Sequence, residues 1–202
     1  MKTKEFFLKN NIVKDKNAKS LNLFDKICPD FTIYKKMNPS DCALTLWKKY
    51  HKATNNKNNG SLNGCMFELI ISAILINKEL LPFYKCADVL FVKGTTHDFL
   101  LYTEECSPIV LSAKTSLRER WKQADLEAFA LHNVYRTSEY YLLTFEKEES
   151  ETRLKNKDQW MGLSDLIYCF DSKFDTLIEQ LRKNKYIEAE PVQVVTSNII
   201  VR

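Results

Sequence analysis

The sequence reads as an α/β protein, a central mixed β-sheet flanked by helices, in a single domain over residues 1–202. The order of elements is the first ground. A run of helices is followed by helix–β–β–β–helix–β–helix–β–helix, and such alternation puts helices on both sides of one sheet. Apolar patterning is the second. Cys65–Asn77 is apolar nearly all round, as a buried helix is, and Leu117, Trp121, Ala124, Ala128 and Leu131 form one stripe at helical spacing. A shortage of turn formers is the third. With 4 Gly and 5 Pro in 202 residues, neither a turn-rich β-sandwich nor a long flexible linker fits.

Residues 1–57 form a helical N-terminal segment with two or three short helices in its first fifty residues. Asn38-Pro39-Ser40-Asp41 starts a helix there, and Ala43–Lys52 continues it with Leu44 and Trp47 at helical spacing. Asn55–Gly64 is polar and Asn-rich, a loop before the Cys65–Asn77 helix, and Pro82 ends that element. Cys86–Val92, Asp98–Thr103 and Ile109–Lys114 are strands, and a polar turn joins the last two into a hairpin with Asp98 at its mouth. Thr115 or Ser116 caps the Leu117–Leu131 helix, with Glu119 in its first turn. Tyr140–Phe145 is a strand, Glu146–Asp158 a charged helix or loop, Leu166–Phe170 a short strand and Phe174–Lys183 an amphipathic helix. Val192–Val201 is a final strand or a dimer arm.

Composition narrows the function classes. Hydrophobic residues at 45% and charged residues at 28% exclude a disordered, collagen-like or fibrous chain. The longest apolar run, Cys65–Ile76, is interrupted by Glu68 and is too short to span a bilayer, so no membrane partner is expected. No compact apolar stretch follows the N-terminal lysines, and a cytoplasmic location is the expectation. The six cysteines include no CxxC pair and no Cys/His cluster at zinc spacing, and read as reduced small hydrophobes. Net charge is +4, unevenly spread: residues 1–57 hold 13 Lys against 5 acidic residues, while the remainder is net −4. A basic quarter suits a polyanion, because lysines near phosphates release condensed counterions. Lys and Asn richness throughout the chain also fits an A+T-rich gene.

The chemistry-bearing residues cluster in the middle of the chain. Glu68 is the only charge in Cys65–Ile76; it is either a paired, protonated or metal-bound carboxylate or a helix-end acid facing solvent. In Ile109–Lys114, Ser112 and Lys114 are two apart and share a strand face. A carboxylate at Asp98 and a lysine on the neighbouring strand are what metal-assisted phosphodiester cleavage needs. The acid holds a divalent cation, and the lysine orients or deprotonates water, or neutralises developing charge. A solvated surface hairpin would show the same residue types. Arg118-Glu119-Arg120 adds a further signal, with two of the chain's six arginines flanking a glutamate. Arginine donates two hydrogen bonds to guanine and glutamate accepts from cytosine N4, so the triplet is a complete reader of C·G pairs. An ion-paired outer helix face is its bland counterpart.

Taken together, Asp98, Ser112-Ala113-Lys114 and Glu127 resemble type II restriction endonucleases of the PD-(D/E)XK superfamily, in the EcoRII/NgoMIV-like, CCGG-reading branch. In that branch the strand carboxylate before the lysine is often replaced by Ser, and a glutamate thirteen or fourteen residues beyond the lysine takes over metal binding; here Glu127 lies thirteen beyond Lys114. The close match covers residues 97–127, including Lys114-Thr115-Ser116-Leu117-Arg118-Glu119-Arg120-Trp121-Lys122-Gln123, and the core pattern extends over 64–170. His97 stands where the family has Pro, and Asp88 competes with Asp98 as first acid. The resemblance implies a restriction-endonuclease-like fold with residues 64–170 as catalytic core. It implies Mg2+ held by Asp98 and Glu127, Lys114 acting on the attacking water, and Glu68 binding a second ion or holding Lys114. Arg118, Glu119 and Arg120 would read C·G pairs of a CC…GG-like site in double-stranded DNA, with the basic N-terminal segment on backbone phosphates. A homodimer and a cognate DNA methyltransferase follow from the same resemblance. A repair or structure-specific nuclease of this fold would lack the need for that reader, and a catalytically silent DNA-binding module would lack the need for Asp98, Lys114 and Glu127.

Overall fold

The computed structural model describes residues 2–57, 59–105, 107–189, 195–196 and 199–202. The basic segment folds as α1 (Thr3–Lys9), α2 (Lys19–Ile27) and α3 (Pro39–Ala53), with a short 3-10 turn at Phe31–Tyr34. Helices α2 and α3 pack on α4 (Gly60–Asn77). Helix α4 begins inside the stretch that reads as a loop, because the Asn59 side chain accepts the Leu62 N–H at 3.1 Å and caps it there. At 18 residues and a mean hydropathy of 1.4, α4 is long and apolar enough to cross a membrane by length and composition, unlike the shorter run seen in the sequence. Its burial explains its composition: 61% of that stretch is buried within the protein, as the central helix of a core.

The sheet follows. Strands β1 (Phe83–Val89), β2 (Val92–Tyr102) and β3 (Pro108–Lys114) form an antiparallel meander. Helix α5 (Arg120–Val134) then crosses over to β4 (Glu139–Thr144), parallel to β3, and α6 (Lys147–Leu154) leads to β5 (Asp165–Tyr168), parallel to β4. Helix α7 (Ser172–Leu181) precedes β6 (Val195–Thr196) and β7 (Ile199–Val201), both antiparallel to β1. The sheet order is β5-β4-β3-β2-β1-β6, with β7 also on β1. The described part of Val192–Val201 is therefore strand; residues 192–194 and 197–198 lie outside the described residues.

Two sequence readings shift here. The expected strand Cys86–Val92 is broken by a turn at Leu90-Phe91, where Phe91 takes a φ of 66°, so Val92 opens β2 instead of closing β1. Asp98 consequently lies well inside an 11-residue strand, not at its mouth.

One core lies between α1–α4, α7 and the sheet face carrying Phe83, Phe99, Leu101, Ile109 and Leu111. The other lies under α5, against Leu100, Val110, Tyr140 and Leu142. The α5 stripe points inward as its spacing demands: Leu117, Ala124, Ala128 and Leu131 are fully buried. Trp121 is half-buried, with the Arg153 guanidinium 4.8 Å from its ring centre. The helix starts later than Thr115 or Ser116 would have it. Its N-cap residue is Glu119, whose side chain makes no capping bond. The Glu149 carboxylate accepts the Leu117 and Arg118 N–H groups at 2.8 and 3.0 Å, so a residue of α6 organises the approach to α5.

Candidate active site

The site is built where β2 and β3 part. Their ladder runs from Tyr102↔Pro108 to Phe99↔Leu111 and goes no further. Beyond it the Ala113 N–H, with no β2 carbonyl opposite, donates to Asp98 Oδ2 at 2.8 Å. The strand pleat places Ser112 and Lys114 on one face, and both reach the same oxygen. Ser112 Oγ lies 3.1 Å and Lys114 Nζ 2.9 Å from Asp98 Oδ2. The Lys114 and Asp98 side chains are 15% and 21% exposed, so this pair is screened far less than a surface pair yet stays open to solvent on one side. Among the described residues no hydrogen bond ends on Asp98 Oδ1.

Glu127 arrives from the helix above this face. Its Oε2 accepts from the Tyr140 phenol at 2.8 Å, and its Oε1 from Gln123 Nε2 one turn earlier, also at 2.8 Å. Tyr140 sits on β4 opposite Val110 and is fully buried. Burial, and next the Glu127 charge, push its phenol well above the ordinary tyrosine range, which keeps it a neutral donor. The Ser112 hydroxyl stands within interaction reach of the same phenol. Asp98 and Glu127 are thus connected through Ser112 and Tyr140, and both carboxylates act on the buried His97 nearby. His97 packs edge-on against Tyr140 at 5.6 Å, and among the described residues its buried Nδ1 has no hydrogen-bond partner. Burial is the main cause holding its pKa below the usual histidine value, against the opposing pull of Glu127 and Asp98.

The donor set fits a hard divalent cation. It consists of carboxylate oxygens with no histidine or cysteine cluster, and Mg2+ is held by one or two carboxylates together with waters and substrate phosphates. Among the described residues no group of three or more His, Cys, Asp or Glu forms an all-protein cage. Asp98 and Glu127 are the residues that would hold such an ion.

The other candidates fall elsewhere. Glu68 does not hold Lys114: it pairs with Lys85 of β1 at 3.2 Å, on the α4 side of the sheet, where Lys85 Nζ also lies 5.6 Å from the Phe99 ring centre. The reason is the pleat. Lys85 pairs with Phe99 across the ladder and faces α4, whereas Lys114 faces α5. Asp88 is exposed on β1 and accepts from Thr96 Oγ1 at 2.7 Å. Arg118, Glu119 and Arg120 are exposed at the start of α5, and Glu119 makes only a loose 3.9 Å pair with Lys122. Arg118, Thr115 and Ser116 line a cleft of about 540 Å3 whose other wall includes Trp47 and His51 of α3.

Two residues that matter for geometry escaped the sequence reading. Lys85 is a buried lysine on a strand, and alternation alone would have shown its inward position. Asp125 is buried on α5 and accepts the N–H groups of Met161, Gly162 and Leu163 at 2.9–3.0 Å. Nothing local to Asp125 announces those partners, which lie 36 to 38 residues away.

No protein-family model matches this sequence, and no curated protein does. A solved structure shares its fold: a restriction endonuclease PspGI–substrate DNA complex, 17% identical, with a TM-score of 0.57 over 88% of this chain and 84% of that one. The mixed sheet with helices on both faces is thus a restriction-endonuclease-like fold.

Proposed function

We propose that a chain with this fold and this carboxylate–lysine arrangement is a Mg2+-dependent type II restriction endonuclease, cutting double-stranded DNA at a short site of CC…GG type. One observation carries the reading: Lys114 and Asp98 meet at 2.9 Å where β2 and β3 part, with Glu127 held over the same sheet face. The likeness to a restriction endonuclease solved on substrate DNA supports it.

In this reading Asp98 and Glu127 bind the ion, which when present polarises the scissile phosphate and acidifies water. Lys114 orients the attacking water and offsets charge developing on the phosphate. Ser112 and the Ala113 N–H fix Asp98, so that the carboxylate is set before DNA arrives. Glu68 is paired with Lys85, and a second ion held by Glu68 would have to displace that lysine. Arg118, Glu119 and Arg120, exposed at the start of α5, read C·G pairs in the major groove. The lysines of residues 1–57 contact phosphates, which fixes register without reading sequence. A palindromic site calls for a two-fold homodimer. A cognate methyltransferase protecting host DNA, and action in the cytoplasm, belong to the same reading.

Digestion of a mixed-sequence plasmid with Mg2+, followed by sequencing of the ends, tests this. Ends that share one short motif with adjacent C·G pairs are expected. Ends without a common motif would point instead to a structure-specific nuclease, and a motif of A·T pairs alone would remove the reader role from Arg118-Glu119-Arg120.

A further inference from the structure

We propose that Tyr140 is a positioning residue: its buried O–H aims Glu127 toward Asp98, and so sets the affinity of the site for its cation. The proposal rests on the metal-site reading above and extends it to a residue outside the ligand set.

The geometry is specific. Tyr140 is fully buried on β4, where Leu100, Val110 and Leu142 belong to the same apolar core. Packing alone would be served there by phenylalanine, since burying a hydroxyl is unfavourable unless it finds a partner. The partner it finds is Glu127 Oε2, at 2.8 Å. Glutamate on a helix has three side-chain torsions, and a fixed donor deep in the sheet selects among its rotamers. The other oxygen is held by Gln123 at 2.8 Å, so each carboxylate oxygen carries one donor and keeps lone-pair capacity for an ion. A neutral phenol suits this task better than a lysine would, because it orients the carboxylate without cancelling its charge. Tyr140 is itself fixed: its N–H donates to Ser164 Oγ at 2.9 Å, and its ring packs edge-on to His97. Ser112, beside the phenol, bonds Asp98 at 3.1 Å, and with the Ala113 N–H and Lys114 it holds Asp98 independently of the Tyr140 hydroxyl. Groups that orient a ligand in this way typically change metal affinity or activity by about 10–100-fold when removed.

Tyr140→Phe keeps the ring and deletes the donor. Mn2+ binding to the DNA-free protein, followed by loss of the free-ion electron paramagnetic resonance signal, gives a readout independent of cleavage. The variant should bind Mn2+ about 10–100-fold more weakly. The Mg2+ concentration for half-maximal cleavage should rise in parallel, with the rate largely recovered at saturating metal. In a Glu127→Ala background, adding Tyr140→Phe should change Mn2+ affinity no further, since Tyr140 acts through Glu127. Unchanged Mn2+ affinity in Tyr140→Phe, or an equal loss in the Glu127→Ala background, would overturn the positioning role while leaving the nuclease reading intact. A wild-type protein that takes up no Mn2+ would overturn the metal site itself, and this role with it.

Discussion

Asp98 is the residue on which the site converges. Three donors of different kinds, an ammonium, a hydroxyl and a backbone N–H, end on one oxygen. Charge-assisted bonds of this sort are roughly twice as strong as neutral ones, so the carboxylate is oriented before any ligand binds. Sequence alone made Asp98, Ser112 and Lys114 candidates, because strand periodicity puts Ser112 and Lys114 on one face. It could not reveal that the ladder stops at Phe99↔Leu111, which is what frees the Ala113 N–H for Asp98. Nor could it assign Glu68 to Lys85, since that pairing depends on which side of the sheet each residue faces. The relocated acid is testable at this scale. Glu127→Ala should lose cleavage. Ser112→Glu added to it supplies a carboxylate from the strand side, beside Asp98, and should restore part of the metal-dependent rate. The recovery should be incomplete, because the Ser112 hydroxyl bond to Asp98 is then lost. Full activity of Glu127→Ala alone in a plasmid nicking assay would make Glu127 an ordinary surface acid.

In the proposed function helix α5 joins chemistry to recognition, with Arg118–Arg120 at its start and Glu127 in its middle. Its apolar stripe was legible from Leu117 to Leu131, since burial of Ala124, Ala128 and Leu131 follows directly from 3.6-residue periodicity. Its start was not legible, because Glu149 supplies the partner for the Leu117 and Arg118 N–H groups from 31 or 32 residues away. Its seating was not legible either. Asp125 gathers three N–H groups of the Met161–Leu163 loop, and Gly162 lies so close that an added Cβ would fall 2.1 Å from the Phe129 nitrogen. This contact ties α5, two residues before Glu127, to the Met161–Leu163 loop. Asp125→Ala takes the acceptor from the buried Gly162 and Leu163 N–H groups and should destabilise the fold by about 3 kcal/mol. Gly162→Ala should cost about 1–3 kcal/mol through forced displacement of α5. Denaturant midpoints check both. A Gly162→Ala protein as stable as wild type would mean the loop, not the helix, absorbs the clash, and its cleavage rate should then be unchanged.

Over the whole molecule, the sheet separates two cores with different duties. Among the described residues, the face toward α4 and the N-terminal helices carries Phe83, Phe99, Leu101, Ile109 and Leu111, with the Glu68–Lys85 pair beside them. The face toward α5 carries Asp98, Ser112, Lys114 and Tyr140, with Glu127 reaching it from α5. The layered architecture was legible from element order, because two crossovers after a meander leave few ways to cover both faces. How the basic segment packs on α4 was not legible, since the amphipathic faces of α2 and α3 name no partner. The central claim of the proposed function is that the α5 face would cut phosphodiesters with an ion held by Asp98 and Glu127 and with Lys114 beside it. Plasmid cleavage by wild-type and Lys114→Ala protein, each with Mg2+ and with excess chelator, measures that claim most directly. Wild type should cut in Mg2+ and stop in chelator, and Lys114→Ala should be slower by at least about 100-fold while still binding DNA. Cutting that persists in excess chelator, or a Lys114→Ala protein that cuts at the wild-type rate, would contradict it.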